Sequence, residues 1–332
     1  MTLTQAAVLT KRGILGSAVL IVLIITGIFG YRAWQDYQLS KIPPVEEKAE
    51  MKFGPLPDIK FPPEKVSSSN FTYSIDTVTG GLPENPKFIK VYFIPQTSIS
   101  LLSSEKAKLL AENLGFTDKP QIESPTRHKF TNPEGNLSID LANGNFRLQK
   151  APLPASESAK TVAPFNKESI VEEFRLYLKT RNLLVNELSG GTTNITFNGP
   201  SPEKSETAIL SILLPDWDNL PMVTTSFNHG LVKTLVSLNQ EGEIKFRQID
   251  YTIWPIDETT YSTYTLKTAE QALADLRSGL GFISIEPKNP QVSISSIYLA
   301  YLQQEEYTPY LQPVYVFEGP DFAALVPAIA KN

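Results

Sequence analysis

The hydrophobic pattern of the chain is dominated by one uninterrupted apolar run, residues 13–30, with no charged residue, no amide side chain and no proline. A helix rises about 1.5 Å per residue, so that about 20 apolar residues cross a hydrocarbon core of about 30 Å. Tyr31 and Trp34 extend the run with aromatic side chains, which favour membrane interfaces. The pattern therefore predicts a transmembrane anchor over residues 13–34.

A buried core helix and a cleaved signal peptide are the alternatives to this anchor. A core helix of this length would show a polar face, whereas Ser17 and Thr26 are the only polar side chains in the run. A signal peptide would have a shorter apolar run and a small-residue cleavage site, which the residues after position 30 do not provide. Lys11 and Arg12 precede the run, so the positive-inside rule predicts a cytoplasmic tail over residues 1–12 and a single-pass protein whose remainder is extracytoplasmic.

The segment after the anchor is rich in proline, with prolines at positions 43, 44, 55, 57, 62 and 63. Proline fixes φ and lacks a backbone donor, which excludes a helix or a central strand. Residues 35–69 are therefore predicted to form an extended spacer of about 3 Å per residue, with a proline-rich docking motif as the alternative. A shortened chain that begins near Ser67 is expected to fold by itself.

Residues 70–150 are predicted to form a first lobe. A β-rich run over residues 88–94 is followed by a helical pattern over residues 103–114, with apolar residues on one face. Two hairpin turns follow, at residues 132–135 and at residues 143–144, and the Asn-Gly pair of the second is typical of a type I′ turn. The pattern indicates one helix on a small antiparallel sheet.

Residues 151–164, which are mostly small residues and proline, are predicted to be a linker. The second lobe, residues 165–319, begins with a longer helix and continues with strands joined by short turns, which is typical of an antiparallel meander. The predicted class is thus α+β: antiparallel sheets, each with packed helices, in two lobes beyond a single anchor. Residues 320–332 are predicted to be a tail.

Two predicted helices end with the same three residue types, at positions 114–116 and 280–282 (Leu-Gly-Phe). A strand-rich run precedes each helix. A degenerate internal duplication would explain this pattern. The alternative is convergent helix-stop chemistry, because glycine followed by an apolar residue is common after helices.

The last strands carry a family resemblance. After a helix that begins with a capping box at Thr268 and Gln271, the chain reads IxxIYLAY over residues 294–301 and YLQPVYVFEG over residues 310–319. Residues 266–319, about a sixth of the chain, resemble the C-terminal module of the YycH and YycI proteins and, more loosely, PepSY-type modules. Those proteins are membrane-anchored accessory regulators of the cell-wall-sensing kinase of Gram-positive bacteria. The resemblance implies a regulatory protein of the bacterial envelope with a membrane partner such as a sensor kinase.

Little in the sequence indicates a catalytic, metal-binding or nucleic-acid-binding site. The net charge of −5, without a basic patch, gives no sign of nucleic-acid binding, and the absence of cysteine excludes disulfides and thiolate metal sites. His128 and His229 belong to no catalytic or metal-binding motif. Asp216 and Asp218 flank an aromatic residue, as in some glycan-acting sites, but such pairs in loops are usually solvated. We predict no catalytic residue, cofactor or metal.

Tyrosines cluster in the last fifth of the chain. Tyrosine is favoured at protein interfaces because it buries a large area and keeps a polar tip, although cross-strand packing is the alternative. Pro313 suggests that the last predicted strand lies at an edge or contains a bulge. Tyr310, Gln312 and Tyr315 of this strand are therefore the predicted protein-binding residues.

Three functions remain open from the sequence. The favoured one is a membrane-anchored, extracytoplasmic and non-enzymatic regulatory or scaffold protein that binds an envelope or membrane partner. The alternatives are a module that binds a peptide or cell-wall ligand and a cell-wall hydrolase. An unpaired sheet edge or a flat aromatic surface would favour the first function, whereas convergent carboxylates in a deep pocket would favour the hydrolase.

The anchor predicts a defined topology. Protease added to spheroplasts should digest the large domain, because residues beyond about position 35 are expected to lie outside the membrane. Immunoblotting of the intact chain and its fragments measures this. Full protection of the large domain would show that the topology is wrong.

Overall fold

The computed structural model of this chain describes residues 30–31, 34, 48–63, 66–151 and 165–331. The predicted anchor lies outside the described residues apart from Gly30, Tyr31 and Trp34, which are helical. Among the residues that are described, no helix has both the length and the apolar character needed to cross a membrane. All elements given below belong to one compact unit, Ala49–Asn332.

This unit contains four α-helices and seventeen strands within the described residues. The helices are α1 (Ser103–Asn113), α2 (Lys167–Thr180), α3 (Asn186–Ser189) and α4 (Ala269–Arg277). The strands are β1 (Thr72–Ile75), β2 (Phe88–Phe93), β3 (Gln121–Ser124), β4 (Arg127–Asn132), β5 (Gly135–Asp140), β6 (Phe146–Lys150), β7 (Thr192–Phe197), β8 (Thr207–Leu213), β9 (Met222–Thr224), β10 (Val232–Leu238), β11 (Ile244–Tyr251), β12 (Asp257–Thr265), β13 (Phe282–Ile285), β14 (Gln291–Ile294), β15 (Ser296–Gln303), β16 (Tyr310–Gly319) and β17 (Phe322–Pro327). The predicted α+β class is confirmed, with more sheet than helix.

The first large sheet has eight described strands in the order β3-β4-β5-β6-β11-β10-β8-β7, and neighbouring strands are antiparallel. Helices α1 and α2 pack on this sheet and share its hydrophobic core. The apolar residues of α2 that enter the core, Ile170, Phe174 and Leu178, recur at helical spacing. This spacing is what turns one face of the helix toward the sheet.

The second large sheet has the described strand order β12-β2-β16-β15-β9, with β17 added to β16 and β13 added to β17. Its pairings are antiparallel except for the parallel pair β9–β15, and β1 and β14 form a separate parallel pair. Helix α4 covers it, because Ala272 and Leu276 lie in one core with Phe317 and Val326. Each large sheet therefore has its own helices and core.

The two sheets do not follow the predicted lobe boundary at residues 151–164. β2, from the predicted first lobe, pairs with β12 and β16, and β6 pairs with β11 in the middle of the other sheet. Local patterns locate strands but not their distant partners, since pairing is decided by the burial of whole sheets. The linker itself lies outside the described residues apart from Ala151.

The predicted tail at residues 320–332 is corrected by β17. This strand is buried almost throughout and pairs with β16 on one side and with β13 on the other. Its sequence, FAALVP, is a short continuous apolar run, which is the pattern of a strand buried on both faces. The end of the described chain therefore belongs to the core of the second sheet.

The ends of α1 and α4 are similar, but the glycines that correspond are not those of the Leu-Gly-Phe match in the sequence. Gly115 and Gly279 both adopt positive φ, at 92° and 89°, and end α1 and α4. In each case the next residue, Phe116 or Leu280, donates to the carbonyl five residues before it. The equivalent glycines are thus Gly115 and Gly279, not Gly281. The match at 114–116 and 280–282 therefore does not align the two helix ends, because Gly281 lies two residues beyond the stop at Gly279.

The described part of the proline-rich segment, residues 49–63, packs on the second sheet; we call it the strap. The N–H of Met51 donates to the carbonyl of Thr263 on β12 at 3.1 Å. The hydroxyl of Tyr264 donates to the carbonyl of Gly54 at 2.9 Å. The backbone bond at Thr263 lies on the outer side of β12, so the strap covers part of that edge.

Aromatic contacts add to the backbone bonds of the strap. Phe53 stacks on Tyr310 with ring centroids 4.9 Å apart, and Phe61 stacks on Phe282 at 5.0 Å. The proline content excludes helix and central strand, as predicted, but it does not keep the segment away from the fold. A chain that begins near Ser67 would lack these contacts, and its independent folding stays a prediction.

The strap contacts predict a measurable stabilisation. Phe61→Ala should lower the free energy of unfolding by roughly 2 kcal/mol, less than the about 3–5 kcal/mol of a fully buried phenylalanine, because Phe61 is partly buried. Chemical denaturation of the intact chain measures the change. Lys60→Ala, an exposed residue of the same segment, is the matched control and should change it by no more than about 0.5 kcal/mol. Equal effects of the two substitutions would contradict the role of the strap.

Candidate functional site

The three predicted protein-binding residues lie in the interior of the second sheet. The hydroxyl of buried Tyr315 donates to the carbonyl of Lys267 at 2.6 Å, and burial raises the pKa of Tyr315 to about 12. Gln312, also buried, donates its amide to the carbonyl of Pro57 in the strap at 2.9 Å. Tyr310, partly buried, lies beneath Phe53. The structure thus brings Tyr310 and Gln312 into contact with the strap and buries Tyr315 in the core, so the three do not form a free surface.

Pro313 lies where β16 changes from one neighbouring strand to another, and not at an outer edge of the sheet. On one side of β16 the pairing with β2 ends at Leu311, and the pairing with β17 begins at Val314. The carbonyl of Pro313 accepts from the N–H of Ala328 on that side, at 3.2 Å. The missing donor of proline therefore falls between two neighbouring strands, where no ladder bond requires it.

Asp218 of the predicted carboxylate pair has a structural role. Trp217 and Leu220 exchange two backbone hydrogen bonds, and Asp218 and Asn219 between them have positive φ, as in a type I′ turn. The carboxylate of Asp218 forms an ion pair with Lys90 at 3.1 Å. This engagement gives no support to a glycan-cleaving role for the pair.

An open sheet edge lies at β7, the outermost strand of the first sheet. β7 pairs with β8 on one side, and on its other side no strand of the described chain pairs with it. The pattern of residues 165–319 predicted a series of strands but not the outermost position of β7. The order of strands in a sheet depends on distant pairings, which a local pattern does not contain.

The direction of the backbone groups of β7 follows from the ladder. The N–H of Asn198 donates to the carbonyl of Thr207 at 3.1 Å, directly beyond the β7–β8 pairing. Because backbone groups alternate along a strand, the even-numbered residues of β7 bond to β8. Thr193, Ile195 and Phe197 therefore direct their N–H and C=O groups to the open edge. No described residue provides hydrogen-bond partners for these groups.

Helix α2 runs beside β7 in the opposite direction. At its start the ammonium of Lys167 lies 5.5 Å from the centre of the Phe197 ring, at the end of β7. Further along, the guanidinium of Arg175 donates to the carbonyls of Ser189 and Gly191, which precede β7, at 3.2 and 2.6 Å. These contacts fix the helix alongside the strand.

A groove of about 700 Å³ lies between α2 and β7, and we call it the edge groove. One side is formed by α2 and the other by β7, and the lining residues are Lys167, Glu168, Val171, Glu172, Arg175, Thr193, Asn194 and Ile195. Val171 and Ile195 are partly buried and pack on the core of the first sheet. The groove thus has an apolar floor and an unpaired strand along one side.

The charges of the edge groove are unevenly engaged. Glu168 and Glu172 are exposed, lie one helical turn apart and have no ion pair among the described residues. The two cations in the same lining contact other groups, since the ammonium of Lys167 lies over the Phe197 ring and the guanidinium of Arg175 donates to two carbonyls. Like charges at this spacing repel each other, so a cation from outside would be favourable here.

His229 lies on the other face of β7. Its Nε2 is 3.1 Å from the hydroxyl of Thr196, and its Nδ1 is 3.2 Å from the hydroxyl of Ser211 on β8. Burial, with a contribution from the positive charge of Lys233, holds the pKa of His229 below its ordinary value of 6.5. The imidazole thus supports the edge strand in its neutral form.

A second cavity, of about 560 Å³, lies where the first sheet meets the turn between β15 and β16; we call it the junction cleft. Two ion pairs line it, Arg147–Asp250 at 2.5 Å and Lys233–Glu305 at 3.1 Å. The side-chain nitrogen of Asn145, in the same lining, is buried without a partner among the described residues. The carboxylates of Asp250 and Glu305 are thus each paired with a cation.

No protein-family model matches this chain, and no curated protein sequence matches it. The resemblance of residues 266–319 to the YycH and YycI module therefore stays a prediction. The function has to be argued from the geometry of the chain itself, and the edge groove is its best candidate for a binding site.

The environment of His229 predicts a pH-dependent stability. The contribution of neutral His229 to the stability of the folded state is complete above pH 6.5, the ordinary pKa of histidine. It decreases as the pH falls through the lower pKa of the folded state, because the unfolded state then takes up the proton more readily. His229→Gln, which keeps a polar side chain but does not titrate, should flatten this decrease in thermal melts between about pH 5 and pH 8. An unchanged pH dependence in the variant would show that another group is responsible.

Proposed function

We propose that this chain is a membrane-anchored, extracytoplasmic regulatory or scaffold protein of the bacterial envelope that binds a protein partner. In this proposal residues 13–34 form the anchor, and the strap connects it to the two sheets. The partner belongs to the envelope or membrane, and a sensor kinase is the class that the resemblance of residues 266–319 implies. No enzymatic activity and no cofactor form part of the proposal.

One observation carries the proposal, namely the open edge of β7 beside the edge groove. An unpaired edge is a template on which another chain can form backbone hydrogen bonds, and folds usually cover or shorten such edges. Here a helix runs beside the edge and leaves an apolar floor between the two. An edge strand flanked by a helix is an arrangement that peptide-recognition domains use.

A ligand-binding module is the second candidate function, and the junction cleft favours it. The cleft presents cationic, anionic and amide groups beside Trp254. Polar groups that converge next to an aromatic side chain suit a small polar ligand. The edge groove remains the stronger basis, because a partner there would satisfy backbone groups that the described chain leaves unpaired.

The proposal predicts position-specific capture of a protein. A photo-crosslinking residue in place of Thr193, in the edge groove, should link the intact chain to an envelope or membrane protein in living cells. The matched control has the same crosslinking residue in place of Asn289, an exposed loop position between β13 and β14. It should not link the chain to an envelope or membrane protein. Mass spectrometry of the linked species identifies the partner.

Two results would contradict the proposal. Crosslinking from Asn289 that equals crosslinking from Thr193 would indicate non-specific proximity. The absence of any linked protein from Thr193, while the chain itself is abundant in the membrane, would show that the edge groove is not the contact surface.

A further inference from the structure

We infer that the edge groove accepts an extended, basic segment of the partner, which adds to β7 as a further strand. This inference rests on the proposed function and names the chemistry of its partner. Three features of the groove support it: the outward backbone groups of β7, the apolar floor, and the two unpaired carboxylates of α2.

The backbone groups determine the shape of the occupant. Thr193, Ile195 and Phe197 each direct one donor and one acceptor to the open edge, at every second residue. A strand rises about 3.3 Å per residue, so these groups match an extended segment of about five residues. A helix could not pair with them, because its backbone groups are already bonded internally.

The floor determines how the side chains of the occupant are used. Alternate side chains of an added strand point toward α2 and pass over Val171 and Ile195. Lysine and arginine have long aliphatic stems that cover apolar surface while the charged group remains in water. Such stems suit a floor that is partly buried and not closed.

The carboxylates determine the charge of the occupant. Glu168 and Glu172 are four residues apart, about 6.0 Å along the helix axis. Groove-facing residues of an added strand are two positions apart, about 6.6 Å, which is close to this spacing. Two basic residues separated by one residue therefore place one cation near each carboxylate and relieve the repulsion between them.

Synthetic peptides test this inference directly. The probe is a fluorescent seven-residue peptide that alternates threonine and lysine, and its binding to the intact chain is followed by anisotropy. A peptide that alternates threonine and glutamate tests the charge. A third peptide with prolines in place of the threonines keeps the charge, but φ is then fixed at about −65° at every second residue, which favours polyproline II over a strand. We expect the threonine–lysine peptide alone to bind, and added salt to weaken its binding.

Matched variants locate the binding. Glu172→Lys should weaken the binding of the threonine–lysine peptide by about three- to tenfold, as expected when an exposed ion pair is replaced by a repulsion. Glu173→Lys makes the same charge change at the next residue, which is exposed and does not line the groove, and should leave the binding unchanged.

Proline substitutions test the direction of the backbone groups. Thr193→Pro removes an outward donor and no bond of the ladder, so it should abolish peptide binding with little change in melting temperature. Thr196→Pro removes a donor to β8 and should lower the melting temperature. If Thr193→Pro also lowers the melting temperature, the proline-containing peptide still decides whether binding requires strand pairing.

The outcomes separate this inference from the proposed function. Crosslinking from Thr193 to a partner, together with no binding of the threonine–lysine peptide, overturns the inference and leaves the proposed function in place. Equal binding of the lysine and glutamate peptides overturns the basic occupant. Equal binding of the threonine–lysine peptide and its proline version overturns strand addition.

Discussion

The hydrogen bonding of β16 is the constraint on which the second sheet depends. This ten-residue strand pairs with β15 along one side and with β2 and then β17 along the other. Its side chains enter three separate groups of buried residues, with Leu311, Val314 and Phe317 as one member of each. A change in β16 would therefore disturb β2, β15 and β17 together. The tyrosine-rich end of the chain is therefore largely core and offers little to a partner.

The edge strands of an open sheet carry unpaired backbone groups, and the edge strands of this chain are protected to different degrees. The outer side of β12 is met by the strap at Thr263 and by Ala330, which donates to the carbonyl of Thr265 at 2.9 Å. β3, at one end of the first sheet, is four residues long and its pairing is irregular between Ile122 and Ser124. Short and irregular edges pair poorly with other chains. β7 has neither form of protection within the described residues, and this difference makes it the candidate contact.

The sequence predicted local structure well where one physical signal decided it. The capping box of Thr268 and Gln271 is present at the start of α4, and the predicted helix at 103–114 matches α1 to within one residue. At residues 143–144 the turn is not type I′, because Gly144 alone has positive φ there and the connection from β5 to β6 is longer. Asparagine and glycine permit several turns, and the flanking ladder selects among them.

Distant pairing and burial could not be predicted in the same way. Tyr315 was expected on a strand with one exposed face, yet both faces of β16 are covered, one of them by α4 and its neighbours. The strap illustrates the same limit, since its prolines exclude regular structure but Phe53 and Phe61 find aromatic partners far along the chain. The candidate site was missed for this reason, because neither α2 nor β7 is unusual alone. Only their placement side by side, at the end of a sheet, creates the groove.

That placement follows from the construction of the first sheet. It consists of two similar halves, α1 followed by β3 to β6 and α2 followed by β7, β8, β10 and β11, which join where β6 pairs with β11. In each half the strand directly after the helix region becomes the outermost one. The halves differ in how the helix lies, because α1 packs against β4 and β5, whereas α2 lies beside β7 itself. An edge strand without a neighbouring helix offers a partner only its backbone groups. An edge strand with a helix beside it forms a groove, which can also distinguish the side chains of the partner. The geometry of recognition is therefore present in one half of the sheet and absent, among the described residues, from the other.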